Sequence, residues 1–293
     1  MRWGGLIFLL LSVGCSQPSA SKALPLSADE LRGLAGVADV EVSVASKAPT
    51  RRIVQIRDWH LVTKSDFAAD VGSSATEPMS DDETDRRYEE HLRDVERVQA
   101  EHKRLLTEII DRYGISAVYV EGLTNANLPI VMSIVEDVRK ATRNIDDHDR
   151  RFEELQRLRR EAEAAGLSAE SDKALELQLG LTAFRTQYRL DCLRIGAAGV
   201  LYAEGKLREF LPVEGAAEYD AANPLRDGKV EFNKSATEAR HDAQVRRMRD
   251  GPPVAIIVLG GAHDLSESIQ RLRDSSVEYL RLTSEAFREV AGN

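Results

Sequence analysis

The 293-residue sequence contains only two cysteines, Cys15 and Cys192. If Cys15 carries lipid, as argued below, Cys192 is a lone thiol and a disulfide framework is excluded. Cys192 sits in a Leu-rich helical pattern, which favours a buried structural Cys over a nucleophile. The chain is mildly acidic, net −9, with no basic stripe, which argues against nucleic acid as a partner. No P-loop, dinucleotide fingerprint, GxSxG motif or internal repeat is present. Nucleotide-driven chemistry and the usual serine-hydrolase elbow therefore have no footing. The N-terminal apolar run, Leu6–Leu11, is far too short to span a bilayer as a helix.

That run reads as an export signal over residues 1–14, with Arg2 as its one charge and small residues leading to Cys15. Leu11-Ser-Val-Gly-Cys15 is similar to a bacterial lipobox, with Leu four rather than three residues before the Cys. Lipidation, palmitate included, would anchor the chain in the cell envelope as a lipoprotein on the periplasmic or other extracytoplasmic side. Ordinary cleavage or a short buried segment are the alternatives. Removing 1–14 takes the charge to −10 and leaves Trp59 as the only tryptophan. Residues 15–26 read as a Ser/Pro/Lys-rich tether, and 27–293 as a single α/β domain.

The most informative stretch is Val254–Leu265, VAIIVLGGAHDL. Six apolar, mostly β-branched residues predict a strand buried on both faces. Gly260–Gly261 ends it, and Asp264 with Glu267 forms a capping-box pattern for a helix over 265–272. His263 is thereby expected at the carboxyl edge of a strand, where open α/β sheets bind ligands. Three other runs end alike: Arg52–Ile56 leads to Arg57-Asp58-Trp59-His60, Ala117–Val120 to Glu121, and Glu209–Val213 to Glu214. Pro212 marks the last as an edge strand. His60, Glu121, Glu214 and His263 converge only if these strands are neighbours in one sheet.

Elsewhere, Ser27-Ala-Asp-Glu30 caps a short helix and Val40–Val44 alternates as a strand. Residues 64–83 read as a loop, and Ser80 opens a helix running to Arg112 or Tyr113 before Gly114. Its apolar stripe includes His91 and His102, about 16 Å apart. Each reads as a core histidine, with reaching the site as the functional alternative. Gln99, one position off the stripe, has the same alternative. Residues 136–195 form a charged helical-hairpin insertion broken at Gly166, in which His148 reads as a surface histidine. Val200–Tyr202 and Glu209–Val213 predict a hairpin, 216–233 a loop, Ser235–Arg249 a helix, and Val277–Leu282 a last strand before a helix from Thr283. Arg240, His241 and Arg247 of that helix face either the site or water, and spacing alone favours water.

With these residues in view, the chain resembles the superfamily that joins TraB/PrgY proteins, Tiki membrane metalloproteases, ChaN-type haem-binding lipoproteins and erythromycin esterases. That family carries two GxxH motifs at strand ends, a strand-end Glu between them, and an Arg in the helix before the second GxxH. Gly260-Gly-Ala-His263 fits the second motif, Glu121 the strand-end Glu, and Arg240 the Arg. The first motif departs, since Arg57 stands where the family has Gly; the bulky side chain alters the turn or projects a guanidinium into the site.

The resemblance implies a central mixed, mostly parallel sheet flanked by helices. It also implies an exported hydrolase of peptide or ester bonds. His60, Glu121 and His263 would be metal ligands or acid/base groups, with Asp58 and Arg57 behind them at the cofactor site. Glu214 would be general base or fourth ligand, and Arg240 would stabilise an oxyanion or a substrate carboxylate. Two imidazoles suit Mn, Zn or Co better than Mg. A metal-free esterase using a His–Glu base is a variant of the same site. The rival class is a ligand carrier holding haem through His or Tyr, with Tyr88, Tyr113 and Tyr119 as candidates, in one protomer or between two of a homodimer.

Overall fold

The computed structural model describes residues 24–74, 80–223, 225–226, 229–230 and 232–292. The expected signal, Cys15 and the tether up to residue 23 lie outside the described residues. The tether ends sooner than residue 26, because the Arg52 guanidinium donates to the Leu24 and Pro25 carbonyls at 2.8 and 2.6 Å and Leu26 is fully buried.

The chain runs α1 (Ala28–Arg32), β1 (Val37–Val44), β2 (Arg51–Asp58), α2 (Lys64–Ser74), α3 (Asp81–Tyr113), β3 (Ala117–Thr124), α4 (Leu128–Ala164), α5 (Ser168–Ala203) and β4 (Glu209–Glu214). It continues with α6 (Ala216–Ala222), β5 (Leu225–Arg226), β6 (Lys229–Val230), α7 (Lys234–Arg249), β7 (Val254–Gly260), α8 (Ser266–Arg271), β8 (Val277–Ser284) and α9 (Glu285–Ala291). One six-stranded sheet has the order β1-β8-β2-β7-β3-β4. All its pairs are parallel except β1 with β8. The fold is therefore α/β with a mixed, mostly parallel sheet flanked by helices. No helix among the described residues is long and apolar enough to cross a membrane.

Every residue of β7 is buried. Val254, Ile256 and Val258 join a core with Leu105, Leu106 and Ile109 of α3 and Leu201 of α5. Ala255, Ile257 and Leu259 join a second core with Val245 and Met248 of α7 and Ile269 of α8. The period-2 alternation thus feeds two apolar layers, each full burial of a Leu or Ile contributing about 1.5–3 kcal/mol. β4 lies at the sheet edge, where Pro212 costs no ladder bond.

Local chemistry sets the helix ends. The Ser27 capping box forms in full, and Ser80 caps α3 by accepting from the Glu83 amide at 3.3 Å. Gly114, at φ 67°, ends α3 in the left-handed conformation. The α4–α5 hairpin turns at Gly166 (φ 72°): its amide bonds Glu163 O at 3.2 Å, and the Leu167 amide bonds Ala162 O at 2.9 Å. This double closure is a Schellman stop.

Four sequence readings are corrected. Residues 64–74 are helix α2 rather than loop, held where Phe67 packs on Tyr88 and His91 of α3. Residues 75–79 lie outside the described residues. Val200–Tyr202 is the end of α5, not a strand, because Leu201 is fully buried against the sheet and overrides β-branched propensity. Residues 216–222 form α6, and two short strands follow within the expected loop. Asp264 makes no capping box: α8 begins at Ser266, and the Asp264 carboxylate accepts the Ser266 amide at 2.9 Å.

Candidate functional site

β2, β7, β3 and β4 are consecutive in the sheet and parallel, so their carboxyl ends emerge side by side. The β2–β7 register sets Asp58 opposite Gly260, which brings the two following turns together. His60, Glu121 and His263 meet there, each offering one ligand atom within 4.8 Å of the others. Glu121 is the hub. Its Oε2 lies 2.9 Å from His60 Nε2 and accepts the Gly260 amide at 2.7 Å. Its Oε1 lies 3.1 Å from His263 Nε2 and accepts Arg240 Nη2 at 2.8 Å.

Glu214 and Arg240 sit behind this triad. Arg240 Nε donates to both Glu214 oxygens at 3.1 Å, and Nη2 to Oε1 at 2.5 Å. Gln244 Nε2 also reaches Glu214 Oε1, at 2.8 Å, and Arg247 donates to the Glu214 carbonyl at 2.7 Å. Arg240, Gln244 and Arg247 are spaced i, i+4, i+7, so one face of α7 converges on Glu214. The expected solvent-facing Arg240 is buried instead. Glu214 lies beneath Arg240 rather than as a fourth member of the cluster.

His241, for which spacing favoured water, faces the site instead, with its Nε2 2.9 Å from His263 Nδ1. Gln55, fully buried in β2, was not singled out. Its Nε2 faces the carbonyls of His263 (3.2 Å), Gly260 (3.3 Å) and Leu259 (3.5 Å), and its oxygen accepts the Tyr279 hydroxyl. Gln55 therefore clamps the Gly260–His263 turn from the neighbouring strand. The one polar residue inside the buried run Ile53–Ile56 was the signal for it.

Asp58 lines the site and stands 3.9 Å from His60 Nδ1. Its Oδ1 approaches His102 Nδ1 to 3.2 Å without hydrogen-bond alignment. His102 thus touches a residue that lines the site, from within the core. Arg57 does not line the cleft. Its guanidinium holds the Gly261 carbonyl at 3.0 Å and lies 5.0 Å from the Phe287 ring centre, tying the first turn to the second. Gln99 donates to Leu193 O at 3.1 Å, beside the break in α5 at Gly196 (φ 65°, ψ −179°), and lines the cleft. His91 stacks among Trp59, Phe67 and Tyr88. His148 stacks on Phe184 at 4.1 Å, away from the site. Tyr219, also not singled out, lines the cleft 5.2 Å from the Arg240 guanidinium, whereas Tyr88, Tyr113 and Tyr119 are not among the lining residues.

Electrostatics follow from this packing. Burial opposes protonation of His60, but the charge and hydrogen bond of Glu121, with Asp58 behind, outweigh it and raise the pKa to about 9. Burial alone would raise Glu121, yet the two histidines hold it well below the usual carboxylate range. Burial, then His263 and Arg240, push His241 down to about 4, so it is neutral at pH 7. Each Glu121 oxygen takes one hydrogen bond from Gly260 or Arg240 and keeps a second lone pair. Two imidazole nitrogens and a carboxylate are a donor set suited to Zn, Mn or Co with a position left open. The donor set fits such an ion. Comparison with protein-family models, curated proteins and solved structures finds no match.

Proposed function

We propose that the chain is an exported, lipid-anchored hydrolase of ester or peptide bonds, metal-dependent through His60, Glu121 and His263. It would act by the chemistry of the TraB/PrgY, Tiki, ChaN and erythromycin esterase superfamily that its motifs resemble. The observation that carries this reading is the meeting of three ligand atoms within 4.8 Å at the carboxyl edge of the sheet, in a cleft of about 750 Å³.

A divalent ion on these residues supplies a Lewis acid and a water whose pKa falls toward about 7. The chain does the rest. Neutral His241 meets His263 Nδ1, leaving Nε2 free to bind, and Gln55 fixes the turn that carries His263. Arg240, anchored on Glu214, holds Glu121 in place and offsets its charge. Asp58 stands 3.9 Å from His60 Nδ1, where its charge acts on the ring without a direct hydrogen bond. The metal-free esterase variant needs His60 as a proton acceptor. Glu121 holds a proton on His60, and that proton must leave before His60 can accept one from a substrate or bind an ion.

Turnover of an ester and peptide panel by the Zn-, Mn- or Co-loaded protein tests the proposal. Activity should vanish on chelation, return on metal addition, and be absent in His263→Ala. Full turnover by protein shown to be metal-free would refute it. The second reading, a haem or other ligand carrier, draws on the apolar wall of the cleft. A Soret band in the purified protein, without turnover, would favour it.

A further inference from the structure

The cleft is asymmetric. His60, Glu121, His263, Asp58 and Arg240 cluster together, and the other lining residues are largely apolar and come mainly from four elements. Val120 and Leu123 come from β3, Val131 from α4, Leu193 and Ile195 from α5, and Phe210 from β4. The break at Gly196 lies in this wall and interrupts α5 between Ile195 and Ala197, both of which line the chamber. Gln99 occupies the Leu193 carbonyl at the break, so that polar group is already satisfied.

Charge narrows the occupant further. Among the described residues, the lining contains two cationic side chains besides histidine, Arg194 and Arg240. Arg240 is committed to Glu121 and Glu214, and Arg194 pairs with Asp191 at 3.2 Å on an exposed turn of α5. Within the lining, Arg240 beside the His60–Glu121–His263 cluster is thus not free for a substrate carboxylate or phosphate, and Arg194 is a half-exposed surface cation. This departs from the expectation that Arg240 receives a substrate carboxylate.

We infer that the substrates are neutral esters or amides whose acyl part is an uncharged aliphatic chain, lodged against the Val120–Val131–Leu193–Phe210 wall. The inference rests on the reading above that the His60–Glu121–His263 end is where reaction occurs. Hydrolysis of such an ester is balanced: the oxygen of water bonds to the acyl carbon and the acyl–oxygen bond breaks. One water proton goes to the departing alcohol oxygen, and the other leaves with the carboxylic acid. No oxidant or co-reactant beyond water enters.

Transfer of one CH₂ from water to an apolar wall corresponds to about fourfold in affinity. The zinc-loaded protein should therefore hydrolyse 4-nitrophenyl acetate, butyrate and hexanoate with kcat/KM rising about fourfold per methylene. The 4-nitrophenyl hemisuccinate, similar in length but anionic, should fall below the butyrate. A second arm needs no turnover: calorimetric titration with neutral n-alkyl amides from acetamide to hexanamide. Affinity should rise by the same factor, and Val131→Phe, which fills the wall, should collapse the hexanamide-to-acetamide ratio. Should Val131→Phe fail to fold by circular dichroism, the smaller Val131→Leu, which narrows the same wall, repeats the test.

Inert esters with graded amide binding would refute the hydrolase reading and leave the acyl chamber standing. Flat amide affinities, a gradient that survives the filled wall, or preference for the hemisuccinate would overturn the chamber.

Discussion

Gly260 and Gly261 are adjacent, yet replacing each by alanine should have opposite consequences. Gly260 has no positive φ, so Ala is compatible with its backbone, and its amide keeps the bond to Glu121. A Cβ there would strike the tip of the His60 ring, a side chain 43% exposed that can swing away. Gly260→Ala should therefore change metal-free stability little, because about 0.4–1 kcal/mol gained in unfolded-state entropy offsets part of the lost His60–Glu121 pair. It should also remove one of three ligands. Disturbing groups that merely support ligands costs about 10–100-fold in metal affinity, so displacement of His60 should cost at least about 100-fold. Gly261 differs, since its Cβ would enter the ring of Phe287, which is 3% exposed and packed in a core with Val98 and Ala286. Overpacking of that kind costs about 1–3 kcal/mol. Chemical denaturation of the chelated proteins, beside zinc titration by calorimetry, reads both quantities. Wild-type zinc affinity in Gly260→Ala would refute the assignment of His60 as a ligand.

The other predictions concern protons and buried polar groups. Because His60 is raised to about 9, its contribution to metal-free stability is complete below about 6.5, the unfolded value, and is lost as pH rises through about 9. The same proton competes with metal, so zinc affinity should climb about tenfold per pH unit between 6.5 and 8.5, with release of about one proton, measurable by calorimetry in buffers of different ionisation enthalpy. Gln55→Leu removes the donor to the Gly260–His263 turn and the acceptor of the Tyr279 hydroxyl. Urea denaturation should show a loss of about 1–3 kcal/mol, and zinc affinity should fall as His263 loosens. Arg240→Ala leaves Glu214, 1% exposed, without its counter-charge, and should cost about 3–5 kcal/mol in the same assay. An unchanged denaturation midpoint would show that Gln244 and water suffice to hold Glu214.

How far the sequence alone reached is clearest at the strand tips. A strand buried on both faces carries its own label, so β7 and His263 were legible from Val254–Leu259. The endings of β2, β3 and β4 were legible too, as was the edge position of β4 from Pro212. Strand order was not, because parallel neighbours are joined through long crossovers that leave no local mark. The convergence of His60, Glu121, His263 and Glu214 therefore needed the structure. Groups that act from helices were missed for a related reason. His241 and Gln244 lie on a helix with few apolar residues, and only the position of Glu214 identifies the inward face. Gly196 concealed the true end of α5, since a Gly-rich stretch followed by Val200–Tyr202 imitates a turn and a strand. Helix α2 was hidden because its Ser, Asp, Ala and Gly content has no period, and Phe67 packing on α3 supplies what propensity does not.

The central claim is that His60, Glu121 and His263 hold one metal ion. The most direct test is the metal content, by elemental analysis, of purified wild-type protein beside His60→Ala/His263→Ala, each equilibrated with Zn, Mn or Co and then desalted. The account predicts close to one ion per wild-type chain and close to none in the double variant. Equal metal in both proteins, or none in a folded wild type at any pH from 7 to 9, would contradict it.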